Sequence, residues 1–184
     1  VDEVYPEGFA TFVNVEGLTD TLEGASRTGH FRGVATVVTI LFNTIRPEAA
    51  FFGQKDTQQV AVIKRSTSDL GFETEIVVVP TVREESGLAM SSRNERLSEE
   101  GHKKAAVIIE ALQTAKTAFK KGERDAADLA EIVRNRIGGE PAATIDYVAI
   151  VNRDSLQTVE KVGDDETLIA VAAEFEGVRL IDNV

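Results

Sequence analysis

The sequence predicts an α/β chain in two parts: half of a doubly wound parallel-sheet domain over residues 1–82, then a small α+β domain with an antiparallel sheet over residues 83–184. Three observations carry this. A strand, helix, strand unit fills residues 46–80, and a crossover of that size joins parallel strands right-handedly. After Pro80 the chain turns polar and irregular (REESGLAMSSRNERL, 83–97), which marks a junction near 81–84. Beyond it, two helical patterns precede three β-like runs, the order expected of an α+β unit.

Taken in order, the alternation of Phe9, Thr11, Val13 and Val15 predicts a strand near 9–15, followed by a loop over 23–30. Residues 33–44 (GVATVVTILFNT) are almost wholly apolar. That run is too long for a usual buried strand, so apolar side chains on every face predict a buried helix despite the β-branched content. Arg46-Pro47 ends it, because proline restricts its predecessor and cannot continue the helical ladder. Residues 49–52 (AAFF) form a short buried strand closed by Gly53. Asp56 is placed to N-cap a helix over 57–69 with Val60, Ile63 and Thr67 on one face, and Gly71 stops it. Residues 75–80 (EIVVVP) form the second buried strand. Ser98-Glu99-Glu100-Gly101 opens one long helix to about residue 120, with Ala106, Ile109, Ala111, Leu112 and Ala115 inward. Lys120-Lys121-Gly122 closes it with cations at the negative end of the dipole. A further helix covers 125–137 up to Gly138-Gly139, and strands follow over 145–151, 167–173 and 178–181.

Composition narrows the function classes. The 184 residues suffice for one well-buried domain or two small ones. A formal charge of −11 argues against a broad nucleic-acid surface, which needs clustered Lys and Arg. The lack of Cys excludes disulfides, thiolate chemistry and Cys-ligated metal centres. With only His30 and His102, a His-rich metal site is not expected, and no protein metal ligands are predicted. No stretch approaches the roughly 18–20 apolar residues of a membrane span. No signal-peptide pattern opens the chain, so the expected compartment is the cytoplasm, away from membranes. The chain starts Val1-Asp2-Glu3-Val4 and holds its one Met at position 90, which suggests a processed end or a piece of a longer protein.

Three loops concentrate cations in this acidic chain. Arg27-Thr28-Gly29-His30-Phe31-Arg32-Gly33 precedes a helix whose first N–H groups suit an anion; the alternative is a solvated turn. Gly53-Gln54-Lys55-Asp56-Thr57-Gln58-Gln59 sits at the carboxyl end of a parallel strand, where open α/β sheets bind ligands. There Gly53 permits close backbone approach, Lys55 is a point charge for phosphate, and Gln59 presents an amide; the alternative is an ordinary strand-to-helix turn. Leu88-Ala89-Met90-Ser91-Ser92-Arg93-Asn94 places two hydroxyls beside a planar guanidinium, a fit for oxyanions, or else is a hydrophilic linker. One anionic ligand shared by all three explains them more simply than three coincidences. His102, in the first turn of a predicted helix, reads as solvated, and the charge run in the 120s as an exposed helix end. Neither GxGxxG nor GxxxxGK[ST] occurs, which disfavours a nicotinamide dehydrogenase.

At these loops the sequence resembles a known family. LEGASRTGHFRGVATVV, RPEAAFFGQKDTQQVAVIKR, VPTVREESGLAMSSRN and the closing VRLIDN are together similar to pantoate–beta-alanine ligases (the pantothenate synthetase family), from Tyr5-Pro6 to the end. The resemblance implies a ligase that uses ATP and Mg²⁺ to form a pantoyl-adenylate from (R)-pantoate. The amine of beta-alanine then displaces AMP. It further implies that residues 1–82 are the latter half of a Rossmann-like domain of the cytidylyltransferase-like (adenine nucleotide α-hydrolase) kind. Gly53, Gln54, Lys55 and Asp56 match the family's G-E-K-D segment at ATP, with Lys55 near the phosphates. Gln59 matches the glutamine that holds pantoate, and Val82 a backbone contact to adenine. Met90, Ser91, Ser92 and Arg93 match a mobile phosphate-binding segment, while Arg27 and His30 match a turn lining the same pocket. Lys55 and Arg93 are thus the implied catalytic pair, offsetting charge on the α-phosphate and the leaving pyrophosphate.

Two departures are small: Gln54 replaces the family's usual Glu, and Thr57 its usual aromatic residue. One is large. The family's N-terminal segment, with an M-G-x-L-H-x-G-H motif and a second pantoate-binding glutamine, has no counterpart here, and His30 belongs to its own matched motif. The expectation is a C-terminal portion inactive by itself, associating through an exposed sheet edge as a homodimer or with the N-terminal segment. A non-catalytic folding or oligomerisation module with weak or no nucleotide binding is the alternative.

Overall fold

A computed structural model of the chain describes residues 4–164 and 166–184. The elements, in chain order, are α1 (Glu23–Ser26), α2 (His30–Ile45), β1 (Ala49–Gly53), α3 (Thr57–Asp69), β2 (Glu75–Val79), α4 (Glu99–Ala105), α5 (Val107–Lys120), α6 (Ala126–Gly138), β3 (Ala143–Asn152), β4 (Thr167–Phe175) and β5 (Val178–Asn183). Two compact units result, Val1–Val79 and Pro80–Val184, divided at the proline that follows β2. The mixed α/β class with one parallel and one antiparallel sheet is the class read from the sequence.

In the first unit β1 and β2 run parallel, with Ala49 opposite Glu75 and Gly53 opposite Val79. α3 is the crossover between them. It ends in a Schellman arrangement: the Gly71 N–H bonds Ser68 O at 3.2 Å and the Phe72 N–H bonds Thr67 O at 3.0 Å. α3 buries Val60, Val62 and Ile63 and packs against α2, whose Phe42 meets Phe72 edge-on at 5.6 Å.

Several expectations need correction in this unit. Residues 9–15 form no strand. The Val13 N–H is taken by the Thr36 hydroxyl of α2 at 2.9 Å instead of a ladder, and Phe9 and Phe12 stack edge-on at 5.4 Å with Arg32 over the Phe12 ring. The expected 23–30 loop contains the short helix α1. α2 exists but is not buried all round, since Leu41 and Ile45 are exposed. Finally, β1 and β2 are not buried strands: Phe51 is 68% exposed, and Val78 and Val79 also face solvent. Parallel strands in α/β folds are normally covered on both faces; here Phe51 and Val79 on one face and Val78 on the other are exposed.

The second unit carries a continuous core. β3, β4 and β5 form an antiparallel sheet in that order, with a bulge between Ile145 and Tyr147. The β4–β5 connection is Glu176-Gly177, both at positive φ (52° and 76°), the mirror-image turn that matches strand twist. α5 and α6 contribute Ile108, Leu112, Leu129, Val133 and Ile137 to a cluster with Val171, Phe175 and Leu180 of the sheet. α6 is N-capped by Asp125, whose carboxylate accepts from the Ala127 and Asp128 N–H groups. The long helix expected over 98–120 is instead two, broken at Ala106. Ser98 does cap the first, its hydroxyl accepting from the Gly101 N–H at 3.0 Å. Among the described residues no helix is long and apolar enough to cross a membrane.

Candidate active site

Two of the three loops lie in the first unit, and the structure ties them together. Gly53 ends β1 at the carboxyl edge of the sheet, and Gln54–Asp56 continue as a single 3₁₀ turn into α3. Lys55 and Gln59 are half-buried there, and Asp56 is exposed. Asp56 occupies the cap position of α3 but makes no capping bond with its side chain, which corrects the sequence expectation. The preceding 3₁₀ turn already leads the chain into the helix, so the carboxylate is left toward solvent. A cavity of about 380 Å³ lined by Phe42, Arg46, Phe72 and Thr74 lies at the opposite, amino end of the strands, away from Lys55.

The link to the Arg27 loop is a residue that sequence reasoning passed over. Gln58 is 3% exposed, and its amide is fully used: its Oε1 accepts from the Glu23 N–H at 2.9 Å, and its Nε2 donates to Leu18 O and Thr21 O at 2.8 Å each. Segment 18–23 is thereby fastened to the first turn of α3. The available signal was a polar residue four positions before Val62, on the helix's inward face. Gly24 is fixed by space, since a Cβ there would stand 1.9 Å from Thr19 O. Just beyond, Arg27 Nη1 lies 3.2 Å from His30 Nε2 at the start of α2.

The third loop belongs to the second unit. Residues 82–90 form a tight hairpin: Arg83 and Ala89 bridge antiparallel, the Glu84 N–H bonds Leu88 O, and the Met90 N–H bonds Val82 O at 3.0 Å. Its base is fixed by Arg83, which donates bidentately to Asp182 of β5 at 2.6 and 3.1 Å and also to Gly87 O. Val82 and Met90, 62% and 56% exposed, face each other across the hairpin. Ser91 and Arg93 are half-buried and Ser92 exposed, in a turn closed by Asn94 N–H to Ser91 O at 3.0 Å. His102, expected to be solvated, is half-buried with Nδ1 3.3 Å from Glu84 Oε2. No group of three or more His, Asp or Glu side chains disposed to hold a metal ion occurs among the described residues.

The first unit carries a Gly-Gln-Lys-Asp turn at the carboxyl end of a parallel strand pair, the second an Arg- and Ser-bearing hairpin, and together the elements are those of an α/β protein. The family model described as pantoate-beta-alanine ligase matches residues 1–184, and the chain belongs to that family. The pantothenate synthetase of Acetivibrio thermocellus is 52% identical over 184 residues, 100% of this chain and 65% of that protein. The crystal structure of pantothenate synthetase from Thermus thermophilus superposes with a TM-score of 0.94 at 46% identity, covering 100% of this chain and 66% of that one. The pantoate-beta-alanine ligase of Francisella tularensis, solved in complex with beta-gamma ATP and beta-alanine, gives a TM-score of 0.75 at 32% identity over 100% of this chain and 61% of that one. The chain thus spans about two thirds of the length of the curated relatives it matches.

Proposed function

We propose that this chain supplies the C-terminal part of a cytoplasmic, ATP-dependent ligase that condenses (R)-pantoate with beta-alanine. The observation that supports this best is the Gly53–Asp56 turn with Lys55 at the carboxyl end of β1 in a chain of the pantoate-beta-alanine ligase family. In the proposed reaction a pantoate carboxylate oxygen attacks the α-phosphorus of ATP and the bond to the β-phosphate breaks. Pyrophosphate leaves and pantoyl-adenylate forms. The amine of beta-alanine then attacks the acyl carbon, loses its proton and expels AMP.

By the family resemblance Lys55 and Arg93 would each bear on the triphosphate, offsetting charge as the pyrophosphate departs. Gln54, Asp56, Val82, Met90, Ser91 and Ser92 complete the ATP site in this reading. Gln59 orients pantoate for in-line attack, and Arg27 with His30 lines the pocket. Mg²⁺ would arrive on the triphosphate, keeping waters and touching one carboxylate, as that ion usually does. The exposed Asp56 beside Lys55 fits such a role, and the ion would neutralise phosphate charge.

The same reading holds the chain inactive by itself. Its two histidines are engaged locally, His30 with Arg27 and His102 beside Glu84, which leaves none to serve as the family's N-terminal pair. An N-terminal segment, or a second copy of the chain, would cover the exposed side chains of the sheet, Phe51 above all. The test is complementation: the N-terminal third of the Acetivibrio synthetase is added to the chain with ATP, pantoate and beta-alanine. Pantothenate and AMP should form in the mixture, be lost with Lys55→Ala, and be negligible with the chain alone. No product in the mixture overturns the ligase reading in favour of a non-catalytic module, and ordinary turnover by the chain alone overturns its inactivity.

A further inference from the structure

Resting on the reading of Met90–Arg93 as a phosphate-binding loop, we propose that Asn94 and Glu84 are its positioning residues, with His102 aligning Glu84. Asn94 is 2% exposed. Its amide nitrogen donates to Ala89 O at 3.1 Å and to Glu84 Oε1 at 2.5 Å. Residues 89 and 94 bracket the four loop residues, so one buried amide closes the span that carries Ser91, Ser92 and Arg93. Glu84 sits across the hairpin and divides its carboxylate, Oε1 to Asn94 and Oε2 to His102 Nδ1 at the start of α4. Both donors of Asn94 face acceptors, which fixes which end of the amide is nitrogen.

This arrangement is poor economy if stability alone is at stake. The Asn94 Oδ1 is buried with no hydrogen-bond partner among the described residues, and an orphaned buried acceptor is destabilising. A small apolar side chain would avoid that penalty. What only an amide supplies here is two donors aimed at two parts of one loop. The hairpin's base is held independently by Arg83 and Asp182, so the Asn94 bonds act on the tip that carries Arg93. A preformed loop would bind phosphate without first ordering it.

The test is ATP titration by calorimetry into the full chain, with amide hydrogen exchange as a second readout. Asn94→Ala should weaken ATP about tenfold, the equivalent of one lost pinning interaction. It should also remove protection at the Met90 and Asn94 amides while leaving that of Val171 and Phe175 unchanged. Glu84→Ala should do the same. Glu84→Gln should rescue, because its Oε1 still accepts from Asn94 and its Nε2 can donate to His102. If Arg93→Ala weakens ATP but Asn94→Ala does not, or if Glu84→Gln behaves as Glu84→Ala, the positioning role is wrong while the ATP reading stands. If ATP binding is absent or indifferent to Arg93→Ala, both fall together.

Discussion

The two units of this chain have unequal means of staying folded. Pro80–Val184 encloses its own core: three antiparallel strands on two helices, with Phe175, Leu129, Val133 and Val171 fully buried. Val1–Val79 has a two-stranded parallel sheet and, among the described residues, shows solvent most of the exposed large apolar side chains, Phe51 at 68% and Ile45 at 64% among them. An antiparallel sheet can leave one face wet and still be complete, whereas a parallel one is built for cover on both. The contrast teaches that stability is apportioned unevenly: the second unit is built around a continuous core, and the first holds Lys55 on a sheet with exposed apolar side chains.

The largest expected effect breaks the scaffold. Phe175→Ala should destabilise the chain by about 3–5 kcal/mol in denaturant unfolding, the usual cost of emptying a buried aromatic site. Phe51→Ala should stay within about 0.5 kcal/mol, as surface changes do. A large loss at Phe51 would mean that its face is covered in solution. Next, Asp182→Asn should cost about 3 kcal/mol, because it leaves Arg83 without its buried partner. Arg83 is 26% exposed and can partly rehydrate, which keeps the loss below that of the core site.

Smaller effects sharpen the comparison within the second unit. Asp125→Ala should cost about 1 kcal/mol by uncapping α6, measured as a shift in the denaturation midpoint. The smallest is a pH effect. Hydrogen bonds from the Ser98 hydroxyl and N–H hold the Glu176 carboxyl below the ordinary range, outweighing the opposing effect of desolvation. A depressed carboxyl stabilises the fold above its unfolded pKa, and that contribution fades as pH falls through the lower folded value. Tm curves of wild type and Ser98→Ala should therefore approach one another on the acid side. Parallel curves would show that Glu176 is not so held.

Much of the architecture could be read from residues because local signals agreed. Gly53, the apolar stripe of α3 and Gly71 delimit the crossover, and the alternations of β3 to β5 face a core that the same unit supplies. Where tertiary partners decide, reading failed. The alternation at 9–15 looks like a strand, but the Val13 N–H bonds the Thr36 hydroxyl, and Phe9 packs edge-on against Tyr5 and Phe12. Nothing in SEEGHKKAAVIIE marks a break at Ala106, a residue with high helix propensity. At the candidate site, Lys55, Gln59 and Arg93 stood out as charged or polar groups on glycine- and serine-bearing turns. Gln58 and Asn94 did not, since their importance lies in bonds to main-chain groups far along or around a loop.

The central proposal is that Lys55 and Arg93 both contribute to binding ATP. It is tested most directly by a double-mutant cycle for ATP affinity, comparing the chain with Lys55→Ala, Arg93→Ala and the double variant. Each single change should weaken ATP, and the double should differ from their sum by about 0.5 kcal/mol or more, as for residues sharing a partner. Strict additivity, or an ATP affinity untouched by either change, would contradict it.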